Sequence, residues 1–188
     1  VASSVFAAHC GPSIGGGAGS SKEVAALLAD VRVVRERVTV LGYDRSKFGG
    51  WAPAKSGADT RDVVLEEWFG AVDSASIPDP YTGEDLEPDG ADIDHVYPLA
   101  AAWDFGAHSW DSRSRRAFAN DAGLNLVPVA SGINREKSDL TPGEWLPPAR
   151  DLRCDYSARY LRVAVTWHLP VSVSDWEAMA KACDIRAR

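Results

Sequence analysis

No apolar run in the 188-residue chain approaches the roughly 20 residues that a membrane-crossing helix needs, which excludes a spanning segment. Basic residues are in deficit: 20 Lys and Arg stand against 27 Asp and Glu, a formal charge of -7 that disfavours nonspecific adhesion to a polyanion. The deficit is local. Ala71 to His95 holds eight acids (Asp73, Asp79, Glu84, Asp85, Glu87, Asp89, Asp92, Asp94) and no Lys or Arg, while the rest of the chain carries 20 basic and 19 acidic side chains. Such a stretch is either a solvated loop or a collector of hard cations, Ca²⁺ among them. There is no initiating Met and no basic segment ahead of the small, apolar Val1 to Gly11, and the Gly/Ser tract Gly15 to Ser21 follows. Residues 1–21 read as the remnant of a signal region, or a tag scar, joined to a flexible linker. The chain has no internal repeat and no other low-complexity tract, which excludes a solenoid.

Cysteine is sparse, with three in all. Cys154 opens one expected helix and Cys183 closes the next, so antiparallel packing of the two would bring the thiols together as a disulfide; the alternative is a pair of buried, reduced thiols. Cys10 has no evident partner. Ahead of the linker it loosely resembles the acylated Cys of a bacterial lipoprotein, although His9 before it fits that signal poorly. The expectation is export, either secreted or held at a bacterial cell envelope.

What is present is a globular composition, 45% apolar, in one domain over residues 22–188 of α+β class and mostly helical. Ser20 and Glu23 have capping-box spacing, and Val24, Leu27, Leu28 and Val31 recur at helical period, so a helix is expected from near Lys22, fading before Gly42. A second begins at Thr60 or Arg61 and buries Val64, Leu65, Trp68 and Phe69. Ser74 to Gly90, rich in Pro, Asp and Gly, reads as a long ordered loop. From Ala91 to Leu99 alternation predicts a strand with Ile93, His95 and Tyr97 on one side and Asp92, Asp94 and Val96 on the other, stopped by Pro98. A polar connection, a helix over Ser112 to Asn120 and a strand over Leu124 to Val129 follow. Ser131 is placed to cap a brief helix with Asn134, Lys137 and Ser138 on one face, and Thr141, Pro142 and Glu144 start one more turn carrying Trp145. Two further helices are expected, Asp155 to Trp167 and Asp175 to Cys183, the second announced by Ser174 and Glu177.

The chemistry concentrates in Asp92-Ile-Asp-His-Val-Tyr-Pro-Leu99, then Asn125-Leu126, then Asn134-Arg-Glu-Lys137. Phosphodiester hydrolysis needs a base for water, a cation against developing oxyanion charge, and a group that orients the base. His95 suits the first task, because an imidazole near about 6.5 is largely neutral yet basic, which predicts a rate rising through roughly pH 6 to 7. Asp94 points to the opposite side of an ideal strand, so a backbone kink before Pro98 is needed for both to serve one site. Asn125 is placed to tether the loop around His95 through its amide, and Asn134 offers a neutral oxygen to a metal. One carboxylate and one amide leave the other positions to water and substrate phosphate, which suits Mg²⁺, with Mn²⁺ as an alternative.

Asp94-His95-x-x-Pro98, Asn125-Leu126 and Asn134-x-x-Lys137 together resemble the HNH motif in its variant with Asn as the last member. The wider pattern is similar to the bacterial, mostly secreted HNH endonuclease-like family that shares its catalytic domain with the C-terminal part of certain modification-dependent restriction enzymes. Matching residues include Gly42-Tyr-Asp-Arg45, Phe48, Trp51, Thr60-Arg61, Tyr81-Thr-Gly83, Trp103, Gly106-Ala107, Trp110, Arg116, Phe118-Ala-Asn-Asp121 and Glu144-Trp-Leu-Pro147, so the resemblance covers about Leu41 to Cys183. It implies a ββα-metal core at about 91–140, with His95 as base, Asn125 as positioning residue and Asp94 and Asn134 as ligands of one divalent cation. Secreted members often carry a further Cys pair, which Ala58 and Ser74 to Ile77 lack here; Cys154 and Cys183 are retained.

For Arg45 and Arg61, gripping phosphate stands beside structural ion pairing as an alternative. Arg116 and Lys137 are further phosphate candidates, while Arg135 is weaker. His9, His108 and His168 lack partners at ligand spacing; Trp68, Trp167 and Trp176 read as core; Trp103, Trp110 and Trp145 flank the motif. The expected activity is a monomeric endonuclease on DNA, with RNA as an alternative, that has little sequence preference and, by the resemblance, leaves 5′ phosphates. Its rivals are a non-catalytic extracellular domain binding Ca²⁺ through the acidic loop, and a secreted antibacterial nuclease toxin.

Overall fold

The computed structural model describes residues 19–70 and 76–186, so His9, Cys10, most of the expected linker and the start of the Ser74 to Gly90 loop lie outside the described residues. Helix α1 (Gly19–Asp30) begins ahead of Lys22 and ends well before Gly42. Its stripe of Val24, Leu28 and Val31 is buried, because the 3.6-residue period puts those positions on one face. The carboxylate of Glu23 takes two hydrogen bonds from Arg162, at 2.6 and 2.7 Å. Both partners are about two-fifths exposed, so this pair contributes little. The chain then enters a two-residue strand, β1 (Val33–Val34), and an irregular run.

Helix α2 (Thr60–Phe69) starts where Asp59 accepts from the backbone N–H groups of Arg61 and Asp62, and Asp62 returns the bond in a full capping box. Some of the acidic stretch, expected as loop alone, folds into a small antiparallel hairpin of β2 (Ile77–Pro78) and β3 (Asp85–Leu86). Asp79, only 2% exposed, pins that hairpin by accepting from the N–H groups of Tyr81, Thr82 and Ala130.

β4 (Ala91–His95) is the next strand, and it pairs antiparallel with a later one, β5 (Leu126–Ala130), in five register pairs running from Ala91↔Ala130 to His95↔Leu126. Between them lie α3 (Leu99–Asp104), where a polar connection was expected, and α4 (Ser112–Ala119), capped by Asp111. Helix α5 (Ser131–Lys137) follows β5 without a loop and completes a ββα unit. Ser131 does not cap it: Ala130 stands at the cap position, and the Ser131 hydroxyl donates to the Gly90 carbonyl. Thr141 and Glu144 close the next turn as expected. Gly143 lies so close to Ser174 that a Cβ would meet its Oγ at 2.7 Å.

The C-terminal third supplies α6 (Arg153–Thr166), β6 (Val171–Ser172) and α7 (Val173–Ala182). The capping box of α7 is Ser172 with Asp175, two residues ahead of the expected Ser174 and Glu177. β6 pairs in parallel with β1, Val33 against Val171 and Val34 against Ser172. Cys154 and Cys183 form a disulfide between the start of α6 and the end of α7, with Cα atoms 4.8 Å apart. The class is α+β, with one large core in which α1, α6 and α7 back the ββα unit and an aromatic cluster joins them, Tyr97 stacking on Tyr160 at 4.6 Å.

Candidate active site

A cleft of about 690 Å³ opens over the end of β4, lined by Asp92, Asp94, His95 and Asn134 and by the cations Arg45, Arg61 and Arg135. His95, the last residue of β4, has its ring at the cleft wall and is only 6% exposed. Its Nε2 lies 2.9 Å from the carbonyl oxygen of Ala119, at the end of α4. A carbonyl only accepts, so Nε2 carries the proton and Nδ1 keeps its bare lone pair. Nδ1 has no hydrogen-bond partner among the described residues. Trp51 stacks on the ring, its indole parallel to the imidazole with centroids 5.8 Å apart. Burial depresses the imidazole to about 3, outweighing the Ala119 carbonyl that favours the cation, and the charges of Arg45 and Lys137 push the same way as burial. In the protein alone the ring is therefore neutral throughout pH 6 to 7, so a rate limb there would require the bound phosphate to raise its basicity.

Asn125 is fully buried; its Oδ1 accepts from the Tyr97 N–H at 2.8 Å and its Nδ2 donates to the Tyr97 carbonyl at 3.3 Å. With the Val96 N–H donating to the Asn125 carbonyl, the strand is held in register just as it leaves β4 before Pro98. That clasp fixes the backbone from which His95 projects.

Asp94, the residue before His95 on β4, lines the same cleft and is buried. Tyr81 donates its hydroxyl to Oδ2 at 2.6 Å, and the Lys137 ammonium lies 3.0 Å from Oδ1 and 2.9 Å from Oδ2. Burial pushes the Asp94 carboxyl up, while Lys137 and Tyr81 pull it down. A carboxylate offers about four acceptor sites, and the His95 backbone N–H favours the charged form alongside these bonds. Lys137 has no exposed surface, and it also donates to the His95 carbonyl at 2.9 Å. The expectation that it touches a substrate phosphate is corrected: its stem runs inward beneath the hairpin, where it neutralises Asp94 and steadies the backbone of His95.

Asn134, half-buried on α5, lines the cleft with no side-chain hydrogen bond among the described residues. Arg45 and Arg61 line it too, and neither forms an ion pair among the described residues; Arg61 reaches only the Ala91 carbonyl, at 3.3 Å. Arg116 is exposed on α4, lies along Gly49 and does not line the cleft, so the structure does not bring it to the site. Sequence reasoning gave no role to Asp92 or to the Trp51 cover. Asp92 was discoverable, because it shares a strand face with Asp94; the stacking partner of His95 had no local signal.

Among the described residues, no three His, Cys, Asp or Glu side chains converge as a metal site, the described portion of the acidic stretch included. A cation here would have few protein ligands: the Asp94 carboxylate, the unpartnered amide of Asn134 and Asp92, all lining the cleft. That donor set fits Mg²⁺, which keeps several waters and needs only one or two carboxylates besides phosphate oxygens.

Over residues 58–182 the chain matches the family described as GmrSD restriction endonucleases, C-terminal domain. It is also 34% identical over 148 residues to a protein of Arthroderma benhamiae described as an uncharacterized secreted protein, across 73% of this chain and 72% of that one. Neither match supports the expected bacterial source. No solved structure matches. Among the described residues, no helix is long and apolar enough to cross a membrane.

Proposed function

This chain belongs to the GmrSD restriction endonuclease C-terminal domain family, and on that premise we propose that it is an endonuclease hydrolysing phosphodiester bonds of DNA, with RNA as an alternative substrate, and with little sequence preference. The observation that carries the reading is the orientation of His95: Nε2–H is tied to the Ala119 carbonyl, and Nδ1 is left bare in a cleft walled by cations. Nδ1 accepts a proton from water as that water attacks phosphorus. Asn125 and Lys137 hold the strand behind the ring, so the base loses little entropy in reaching its working position. Arg45 and Arg61 grip the phosphate oxygens through charge-assisted hydrogen bonds. Arrival of that anion beside the imidazole raises its basicity above the value that burial sets. Asp94 and Asn134 would hold one divalent cation, Mg²⁺ or Mn²⁺, which when bound supplies Lewis-acid stabilisation of the departing 3′ oxygen.

Export belongs to the same reading, supported by the Cys154–Cys183 disulfide and by the description of the Arthroderma benhamiae relative as secreted. A calcium-binding role for the acidic stretch has less support, because Asp79 is committed to backbone N–H groups. Plasmid nicking tests the proposal. The wild-type chain is expected to nick in Mg²⁺ or Mn²⁺ and to stop on chelation, and His95→Ala is expected to be inactive; full activity in His95→Ala would discard the base assignment.

A further inference from the structure

The run from Arg37 to Tyr43, beside the cleft, is pinned along its backbone and exposes apolar side chains. It is firmly held: Arg37 bonds Asp104 and both the side chain and carbonyl of Asp139, the Val40 N–H donates to Asp104 at 2.8 Å, and Trp103 donates its indole N–H to the Val40 carbonyl. Lys47 donates to the carbonyl of Gly42, whose φ of 88° only glycine adopts readily. This held loop turns apolar side chains outward, with Leu41 90% and Val38 65% exposed. Tyr43, two residues on and at most about 7 Å away along the chain, already lines the cleft with Arg45.

We propose that Leu41 is a wedge that enters the base stack of duplex DNA beside the phosphate held in the cleft, and that the favoured substrate is therefore double-stranded. The proposal rests on the nuclease reading above and names the substrate of that same site. An aliphatic side chain has no aromatic face on which to stack an isolated base, but it can pry neighbouring base pairs apart, as apolar wedges on rigid supports do. Arg45, which lines the cleft beside Tyr43, supplies a phosphate-binding cation four residues from the wedge. The pinning of the loop lowers the ordering entropy at contact.

The test combines cleavage kinetics with a binding signal. A duplex carrying 2-aminopurine is expected to brighten when the wild-type protein binds it in chelator, and to stay dark with Leu41→Ser. Duplex KM is expected to rise about ten-fold in Leu41→Ser with kcat changed less than about two-fold, cleavage of single strands staying as in wild type and Leu41→Met restoring duplex KM. Equal duplex KM and equal brightening in Leu41→Ser, while the wild type cuts DNA, would overturn the wedge and leave the nuclease reading intact. A wild-type chain that cuts no nucleic acid in any divalent cation removes that reading, and the wedge with it. A dimer in sedimentation that Leu41→Ser dissociates would assign the loop to a second copy of the chain and also overturn the proposal.

Discussion

Removing the ammonium of Lys137 would strand a carboxylate inside the hairpin, because Asp94 is buried and depends on Lys137 and Tyr81. Lys137→Met is expected to destabilise the fold by about 3 to 5 kcal/mol in urea titration, and adding Asp94→Asn is expected to recover much of that loss. A double variant no more stable than the single one would show that the pair is not the source of the effect. His95 makes a second prediction at this scale. Its folded value of about 3 lies below the roughly 6.5 of an unfolded chain, so below that pH the unfolded state binds the extra proton. The stability it contributes is fully present above 6.5 and is lost as pH falls toward 3, with about 2 to 3 kcal/mol gone by pH 4.5. Thermal melts between pH 7 and 4.5 are expected to show this slope in the wild type and a shallower one in His95→Gln.

Among the elements, the disulfide offers the cleanest test. It closes a separation of 29 residues across α6 and α7, and Cys154→Ser with Cys183→Ser is expected to lower stability by about 3 to 4 kcal/mol without moving β4 or β5. Loss of the N-cap in Asp59→Ala is expected to be worth about 1 kcal/mol, read as a shifted denaturation midpoint. The elements that carry their own local signal were legible: α2 from its apolar period, β4 from alternation stopped by Pro98, and α6 and α7 from amphipathic spacing. Helix α3 was not, because its six residues are too few to show a period. The two-residue strands β1 and β6 exist only through each other, across most of the chain, and carry no alternation to read. At the site, the order of Asp94, His95, Asn125 and Asn134 was legible as a motif. The fate of Lys137 was not, because a helical face says which way a side chain leaves the backbone but not whether its long stem then turns beneath a neighbouring strand.

For the molecule as a whole, a net charge of -7 sets long-range repulsion of DNA against a few local cations. With Arg45 and Arg61 as the phosphate contacts, the dependence of log affinity on log salt is expected to have a slope of about -2, well short of that of strongly basic DNA-binding proteins. Fluorescence anisotropy across a salt series measures it, and Arg45→Ala is expected to make the slope shallower by about one. The parallel contact between β1 and β6 bears on how such a molecule comes into being. Everything that shapes the cleft, from Tyr43 to Asp139, has been synthesised before the partner of Val33 and Val34 at Val171 and Ser172 exists. Helix α1 likewise waits for α6 to cover its apolar stripe. A ribosome-bound chain thus presents the residues of the cleft before the frame that holds them, and the two meet only once Val171 and Ser172 have been made.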